Sequence, residues 1–251
     1  MKILVPIKSV IDQNTQIRIK PDNSAINTDD SNIIINHYCK RALEEAISMK
    51  ETGKASEVIA LTLGTEKDKK ILFSALAMGA DRAILIKTDK RLNSLIIAKL
   101  IKEIALKEKP QIIITGRKSI DSDNSQTGQM IAGLLDWGQA TFAIKIDIIN
   151  KDYIRVTREI ERGTELIELK IPCVITANAN LNSPRYVSKQ QIDKIKKQKT
   201  IEELSIDSLN INTHSKNKII RTDMNPRRSL RKEAKTVEEL VELLKEEAKV
   251  I

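Results

Sequence analysis

The sequence predicts an α/β fold: a mostly parallel, doubly wound sheet with antiparallel strands added to it and a C-terminal arm ending in a helix. Three observations lead there. Over the first half of the 251 residues, short apolar runs alternate with segments of helical period. From residue 144 to 169 apolar and polar residues alternate one by one, the mark of half-buried antiparallel strands. The stretch 115–141, TGRKSIDSDNSQTGQMIAGLLDWGQAT, runs from strand through polar loop into helix. That arrangement leaves free backbone N–H groups and a helix dipole aimed at an anion.

Taken in order, residues 3–7 read as an apolar strand. Residues 17–20 alternate, and Pro21, Asp22, Asn23 and Ser24 turn the chain. Asn36 is placed to cap a helix over 37–50, with Leu43, Ala46 and Ile47 inward and Lys40, Arg41, Glu44 and Glu45 outward. A strand at 58–63 stops at Gly64, and Thr65 with Asp68 starts a helix through Leu72, Ala75 and Leu76. After a strand at 83–86, Ile97, Ile101, Ile104 and Ala105 line a helix that ends before Pro110. Residues 112–115 lead into the polar loop, and Gly128 opens a helix carrying Met130, Ile131, Leu134 and Leu135. Strands at 144–149, 153–160 and 166–169, the last two broken at Gly163, precede a buried strand at 174–177. Residues 203–235 are polar and poorly periodic, so they cannot build a core alone. Thr236 and Glu239 then form a capping box before Val237, Leu240, Val241, Leu244 and Ala248. The chain thus divides into an α/β domain, 1–202, and an arm, 203–251, whose helix needs a surface to lie on, this domain or a partner chain.

Composition narrows the function classes. The formal charge of +9 is spread along the chain, and two Phe, three Tyr and one Trp leave little for stacking on bases, which disfavours nucleic-acid binding. No apolar run reaches membrane-spanning length, and the N-terminal MKILVPIKSVID reads as a strand, not a signal peptide. Cys39 and Cys173 suggest a reducing compartment; His37 and His214 lie too far apart to suggest zinc. No nucleophile–base pair, metal cluster or paired-carboxylate motif stands out, so catalytic residues are expected to be absent. A nucleotide-hydrolysing or adenylating enzyme on a related fold would need a P-loop or an SGGxDS-like loop, and neither is present.

In an open parallel sheet ligands bind beyond the carboxyl ends of the strands. Three loops lie at such ends: those after Ile7 and Leu63, and 116–127. The helix start at Asn36 can converge on the same crevice. Two readings of Ser119, Asp121, Ser122, Asp123, Asn124, Ser125, Gln126 and Thr127 stay open: a phosphate seat, or an ordinary cap and turn. Cys39 is either a lowered-pKa thiol or a small buried residue.

The segment around that loop resembles the signature of the electron transfer flavoprotein β subunit, in its AMP-binding form. Shared residues are Gly116, Ile120, Asp121, Gln126 through Met130, Ala132, Gly133, Leu135, Asp136, Trp137, Gln139, Thr141 and Phe142. KILVPIKSVID near the start, LAMGADRAI at 76–84, REIERG at 158–163 and LNSPRY at 181–186 extend the likeness over nearly the whole chain. The resemblance implies a Rossmann-like, adenine-nucleotide-binding domain with AMP as a structural ligand. Its contacts would be Pro6, Asn36, His37, Tyr38, Cys39, Leu63 and the loop from Gly116 through Ser119 to Thr127. It also implies an α subunit that holds most of the FAD, with Glu159 and the position of Gln13 on the flavin side. Electrons would come from flavin dehydrogenases such as acyl-CoA dehydrogenases and pass to a membrane quinone oxidoreductase. The setting would be a bacterial cytoplasm, or the mitochondrial matrix in a eukaryote. A bifurcating relative with a second FAD in place of AMP is the alternative within the family.

The chain also departs from that pattern. Ser125 and Ser122 replace an Asn and an Asp, and Gln13 replaces a tyrosine beside the flavin ring. In the partner-recognition loop, 182–199, Lys189 stands where a leucine anchor is usual, followed by Gln190 in place of proline. A charged head makes a poor plug for a dry pocket. Beside Pro184, Arg185 and Tyr186, Ile192 can take over as the anchor from Lys189, and the flanking Lys194, Lys196, Lys197 and Lys199 either steer an acidic partner or form a solvated helix face.

Overall fold

The computed structural model describes residues 1–28, 31–215, 217, 219–224 and 233–251, so residues 216, 218 and 225–232 of the polar stretch lie outside the described residues. The strands are β1 (Lys2–Pro6), β2 (Ser9–Ile11), β3 (Arg18–Ile19), β4 (Ile26–Asn27), β5 (Ile33–Ile35), β6 (Glu57–Gly64), β7 (Arg82–Lys87), β8 (Ile112–Gly116), β9 (Gly138–Ile148), β10 (Tyr153–Ile160), β11 (Gly163–Lys170), β12 (Cys173–Ala177) and β13 (Glu202–Ser205). The helices are α1 (His37–Glu51), α2 (Lys69–Met78), α3 (Ser94–Glu108), α4 (Thr127–Leu135), α5 (Lys189–Gln198) and α6 (Val237–Glu242).

Nine strands form the central sheet in the order β11-β10-β9-β12-β8-β1-β6-β7-β13. From β9 to β13 all neighbours are parallel; β10 and β11 run antiparallel beyond β9. This is the expected class. From β1 the chain first moves outward to β6 and β7 and then returns to β8 on the other side. The reversal opens a crevice at the carboxyl ends of β1 and β8.

The pleat sends alternate residues of β1 to opposite cores. Ile3 and Val5 pack with Leu43, Ile47, Ile71 and Leu72 of α1 and α2. Leu4 packs with Ile101 and Ile104 of α3, Ile113, and Ile131 of α4. Each fully buried Leu or Ile contributes about 1.5–3 kcal/mol of transfer free energy. Ile154 and Val156 of β10 are fully buried, whereas Leu166 on β11 is 60 % exposed, so the antiparallel extension has one core face and one open edge.

Two local expectations need correction. Glu44 was expected outward, yet it is buried, because Arg185 reaches across to neutralise it. And β13, inside or beside a stretch that shows no period, is a parallel edge strand on β7. Leu204 and the following Ile206 pack against the core, and charge adds to that hold: Glu202 pairs with Arg82 and Lys107, and Glu203 with Lys69 and Lys87. The 17–20 strand shrinks to the two-residue β3, paired with β4.

The chain forms two compact units, Met1–Gln16 with Thr28–Lys218, and Ile17–Asn27 with Ile219–Ile251. The first contains the central sheet. The second contains the β3–β4 hairpin, which Thr222 joins through an N–H to the carbonyl of Asn23 at 2.9 Å. It also contains α6, whose first turn is capped by Thr236 accepting from the Glu239 N–H at 3.2 Å. Val237, Leu240 and Val241 on α6 are exposed.

Candidate functional site: a crevice beyond β1 and β8

The crevice is assembled by glycines and by one buried amide. A Cβ on Gly116 would sit 2.7 Å from the Cys39 nitrogen and 2.8 Å from the Tyr38 Cβ, so only glycine lets β8 end against the first turn of α1. A Cβ on Gly128 would strike Thr176 and come within 2.9 Å of the Thr115 hydroxyl, which fixes how closely α4 starts over β8 and β12.

Asn36 does not cap α1 with its side chain, contrary to expectation. It is fully buried and turned sideways: Nδ2 donates to the Lys118 carbonyl at 2.8 Å, and Oδ1 accepts from the Ile120 N–H at 3.2 Å. Two long-range bonds to the loop outcompete one cap bond. From the opposite wall Lys8 donates to Ser119 at 3.2 Å and to both Asp121 oxygens at 2.8 and 2.6 Å. Burial raises the Asp121 carboxyl, but the hydrogen bonds and charge of Lys8 and Ser119 bring it net below its usual range. Asp121 is therefore anionic at neutral pH and locked to the end of β1.

Between these clamps the loop coils tightly. Asp123 and Ser125 are left-handed (φ 52° and 50°), Asp123 N–H bonds to the Ser119 carbonyl at 2.9 Å, and the Ser119 and Ser122 hydroxyls lie 2.8 Å apart. Lys118 pairs with Asp123 at 2.7 Å. Gln126 supplies no side-chain cap to α4, and no acidic residue sits in the first turn of α4 or of α1. By contrast Asn93, Ser188 and Thr236 cap α3, α5 and α6 in the ordinary way. Two helix N-termini without side-chain caps thus meet one polar loop, with their N–H groups available to an anionic oxygen. Among the described residues, buried polar atoms without a partner include Thr115 Oγ1, Arg117 Nε and Gln129 Oε1, all beside this crevice. The hydroxyls and N–H groups present could hold a nucleoside monophosphate.

Cys39 is buried, and burial pushes its thiol up, so the small-buried-residue reading holds. Pro6 and Leu63 lie at the carboxyl ends of β1 and β6, and Tyr38 stands against Gly116. His37, whose Nε2 is buried without a hydrogen-bond partner among the described residues, also borders a second cavity. That cavity, of about 320 Å³, is lined further by Ile33, Ile71, Tyr186, Val187 and Ile192. Gln13 is exposed in the turn closed by the Thr15 N–H on the Asp12 carbonyl.

Of the docking residues, Pro184 is half-buried and Arg185 is committed to Glu44 and Glu51. Tyr186 is 85 % exposed. Lys189 opens α5, and Lys194 and Lys197 are exposed along it. Lys8 and Arg117 fall in loops the sequence points to without being singled out there, and Thr115 and Asn178 are not among its candidates. Each lies at or just past the carboxyl end of a parallel strand, so the rule that located the loop, applied to every strand, would have found them.

A family comparison agrees with this geometry. Residues 24–209 match the Electron transfer flavoprotein domain. The chain is 44 % identical over 248 residues to the electron transfer flavoprotein subunit beta of Dictyostelium discoideum, covering 99 % of this chain and 98 % of that protein. It is 41 % identical to the mitochondrial subunit beta of Arabidopsis thaliana over the full length of both. With the human subunit beta it shares 40 % identity over 98 % of this chain and 97 % of that one. The match over most of the chain and the full-length likeness show that the chain belongs to the electron transfer flavoprotein family, as a β subunit.

Proposed function

We propose that the chain is half of a heterodimeric electron carrier in which AMP is a structural ligand and FAD is shared with, and mostly held by, an α subunit. The observation that carries the AMP assignment is the convergence of α1 and α4, both without side-chain caps, on the Lys8- and Asn36-clamped loop. The phosphate would take the N–H groups at the start of α4 and the hydroxyls of Ser119 and Thr127. Ser122 and Ser125, in the family's Asp and Asn positions, can still donate to phosphate oxygens.

FAD supplies the redox chemistry when bound. This chain's residues orient and screen it. Glu159 accepts from the amides of Asn178 at 2.7 Å and Asn180 at 3.3 Å, which holds its carboxylate at one place on the flavin side. The arm, 203–251, lays its helix on the α subunit, as the exposed Val237, Leu240 and Val241 suggest.

Electrons arrive from acyl-CoA dehydrogenase-type flavoenzymes and leave to a membrane quinone oxidoreductase, in the bacterial cytoplasm or, in a eukaryote, the mitochondrial matrix. No helix among the described residues is long and apolar enough to cross a membrane. Donors dock at Tyr186 and α5, where Lys189, Lys194 and Lys197 attract acidic partners. Co-expression with an α-like subunit, denaturation and quantification of released nucleotides tests the assignment. One FAD and one AMP per heterodimer are expected; two FAD and no AMP would replace it with a bifurcating carrier.

A further inference from the structure

Arg117 follows Gly116 directly and is half-buried between two rings, 5.2 Å from the Tyr38 centroid and 5.0 Å from that of Phe142. The sandwich is built at a cost. Phe142 is left-handed (φ 58°) where β9 slips register against β12, a conformation that strains a residue with so bulky a side chain. Thr176 Oγ1 accepts the Phe142 N–H at 3.0 Å and holds the bulge. Among the described residues no ion pair involves Arg117. Its Nη1 donates instead to the Asn178 Oδ1 at 2.9 Å.

Asn178 is 2 % exposed and stands just past β12. Its Oδ1 also accepts the Ala179 N–H at 2.7 Å, while its Nδ2 donates to Glu159 at 2.7 Å. Guanidinium has no acceptor and an ionised carboxylate has no donor. Arg117 and Glu159 therefore permit a single amide orientation, with oxygen toward the arginine and nitrogen toward the glutamate. Arg117 N–H bonds to the Ala177 carbonyl at 3.0 Å, and the Asn178 N–H to the Ala143 carbonyl at 2.9 Å, so the backbones carrying this chain of contacts are fixed as well. An exposed glutamate on β10 is thereby aimed by a residue of the nucleotide loop.

We propose that Arg117 is a positioning residue that locks the Asn178 amide and so sets the aim of the Glu159 carboxylate, tying it to the seat of the 116–127 loop. The proposal rests on the reading above that Glu159 lies on the flavin side. It predicts an effect whose sign separates positioning from plain charge. Glu159→Gln removes a negative charge and shifts the flavin midpoint potential upward. Arg117→Met removes a positive charge; acting through space alone it would shift the potential downward. Acting through Asn178 it releases the carboxylate into solvent and shifts the potential upward, as Glu159→Gln does.

The test uses the assembled, flavin-loaded α/β complex. Midpoint potentials are measured for the wild type, Glu159→Gln, Arg117→Met, Arg117→Lys and the double variant. The expected result is an upward shift for Arg117→Met that disappears in the Glu159→Gln background, with Arg117→Lys close to wild type because a lysine can still donate to Asn178. A downward shift, or one that persists without Glu159, overturns the proposal. A second readout needs neither an Arg117 variant nor a flavin effect. In the wild-type complex the Asn178 side-chain amide resonances must move with the carboxyl titration of Glu159, and must stop doing so in Glu159→Gln. Amide resonances indifferent to that titration overturn the proposal. If Glu159→Gln leaves the potential unchanged while the Asn178 amide follows Glu159 in the wild type and ceases to do so in Arg117→Met, the flavin-side reading fails and the positioning role of Arg117 stands.

Discussion

Arg185 grips Glu44 across 141 positions of sequence: Nε lies 3.0 Å from both carboxylate oxygens and Nη2 lies 2.9 Å from Oε1. The same guanidinium reaches both oxygens of Glu51, at 2.6 and 2.8 Å. The segment leading to α5 is thus stapled to two successive turns of α1, which places Tyr186 and the lysines of α5 on a fixed base. Arg185→Met would leave Glu44 buried and unpaired. A loss of about 2–3 kcal/mol is expected, at the low end for broken buried pairs because Arg185 is a third exposed. Arg185→Lys should recover little, since an ammonium cannot reproduce the fork. Denaturant unfolding of the heterodimer measures both. Arg221→Ala, which breaks an exposed pair with Asp223, should change stability by less than about 0.5 kcal/mol.

Acid should loosen the edge of the sheet first. Lys69 and Lys87 hold Glu203 below its usual range and Glu66 at about 2, and Arg82 holds Glu108 down. A carboxyl depressed in the fold contributes stability that is fully present above its unfolded value of about 4.3 and is lost as pH falls through the folded value. The melting temperature should therefore be flat from pH 8 to about 5 and fall between about 5 and 2. Glu45 works the other way: burial raises its carboxyl, so its protonation adds a little stability as pH falls toward the unfolded value of about 4.3, ahead of the main acid fall. A Glu203→Gln variant should show a shallower acid limb and a weaker response to added salt.

Two glycines should answer the same substitution with opposite signs. Gly116→Ala drives a Cβ into the backbone at Cys39 and should cost about 1–3 kcal/mol while opening the crevice. Gly133, inside α4, has nothing within 4 Å of an added Cβ, and Gly133→Ala should stabilise by about 0.5–1 kcal/mol. Thermal melts of the two variants decide the matter.

Asn36→Ala removes both bonds that hold Lys118 and Ile120 and should cost about 2 kcal/mol. If Asn36 were only a helix cap the loss would be nearer 1 kcal/mol and the loop unaffected. Hydrogen exchange over residues 117–126 distinguishes the two, with faster exchange expected.

The parallel core was legible because its strands are buried on both faces and read as unbroken apolar runs, as at 112–115. The loop was legible because its residues are contiguous. What escaped was non-local. Asn36 has an N-cap's sequence position, but its side chain answers to a loop 82 positions away. Glu44 looks like a solvent-facing residue until Arg185 folds over it. β13 carries two glutamates and one apolar residue, Leu204, too few to show a period, and four cations drawn from α2, β7 and α3 pair with the glutamates. Charge pairing leaves no periodic trace in a sequence, whereas burial does.

In the proposed carrier a phosphate group rests on the uncapped start of α4 and on the 119–127 loop. The most direct measurement is the affinity of the nucleotide-stripped heterodimer for AMP and for adenosine at fixed ionic strength. Two or more charge-assisted bonds to the phosphate predict that AMP binds about 100-fold tighter or better, a gap of about 2.7 kcal/mol. Equal affinities for AMP and adenosine would contradict it.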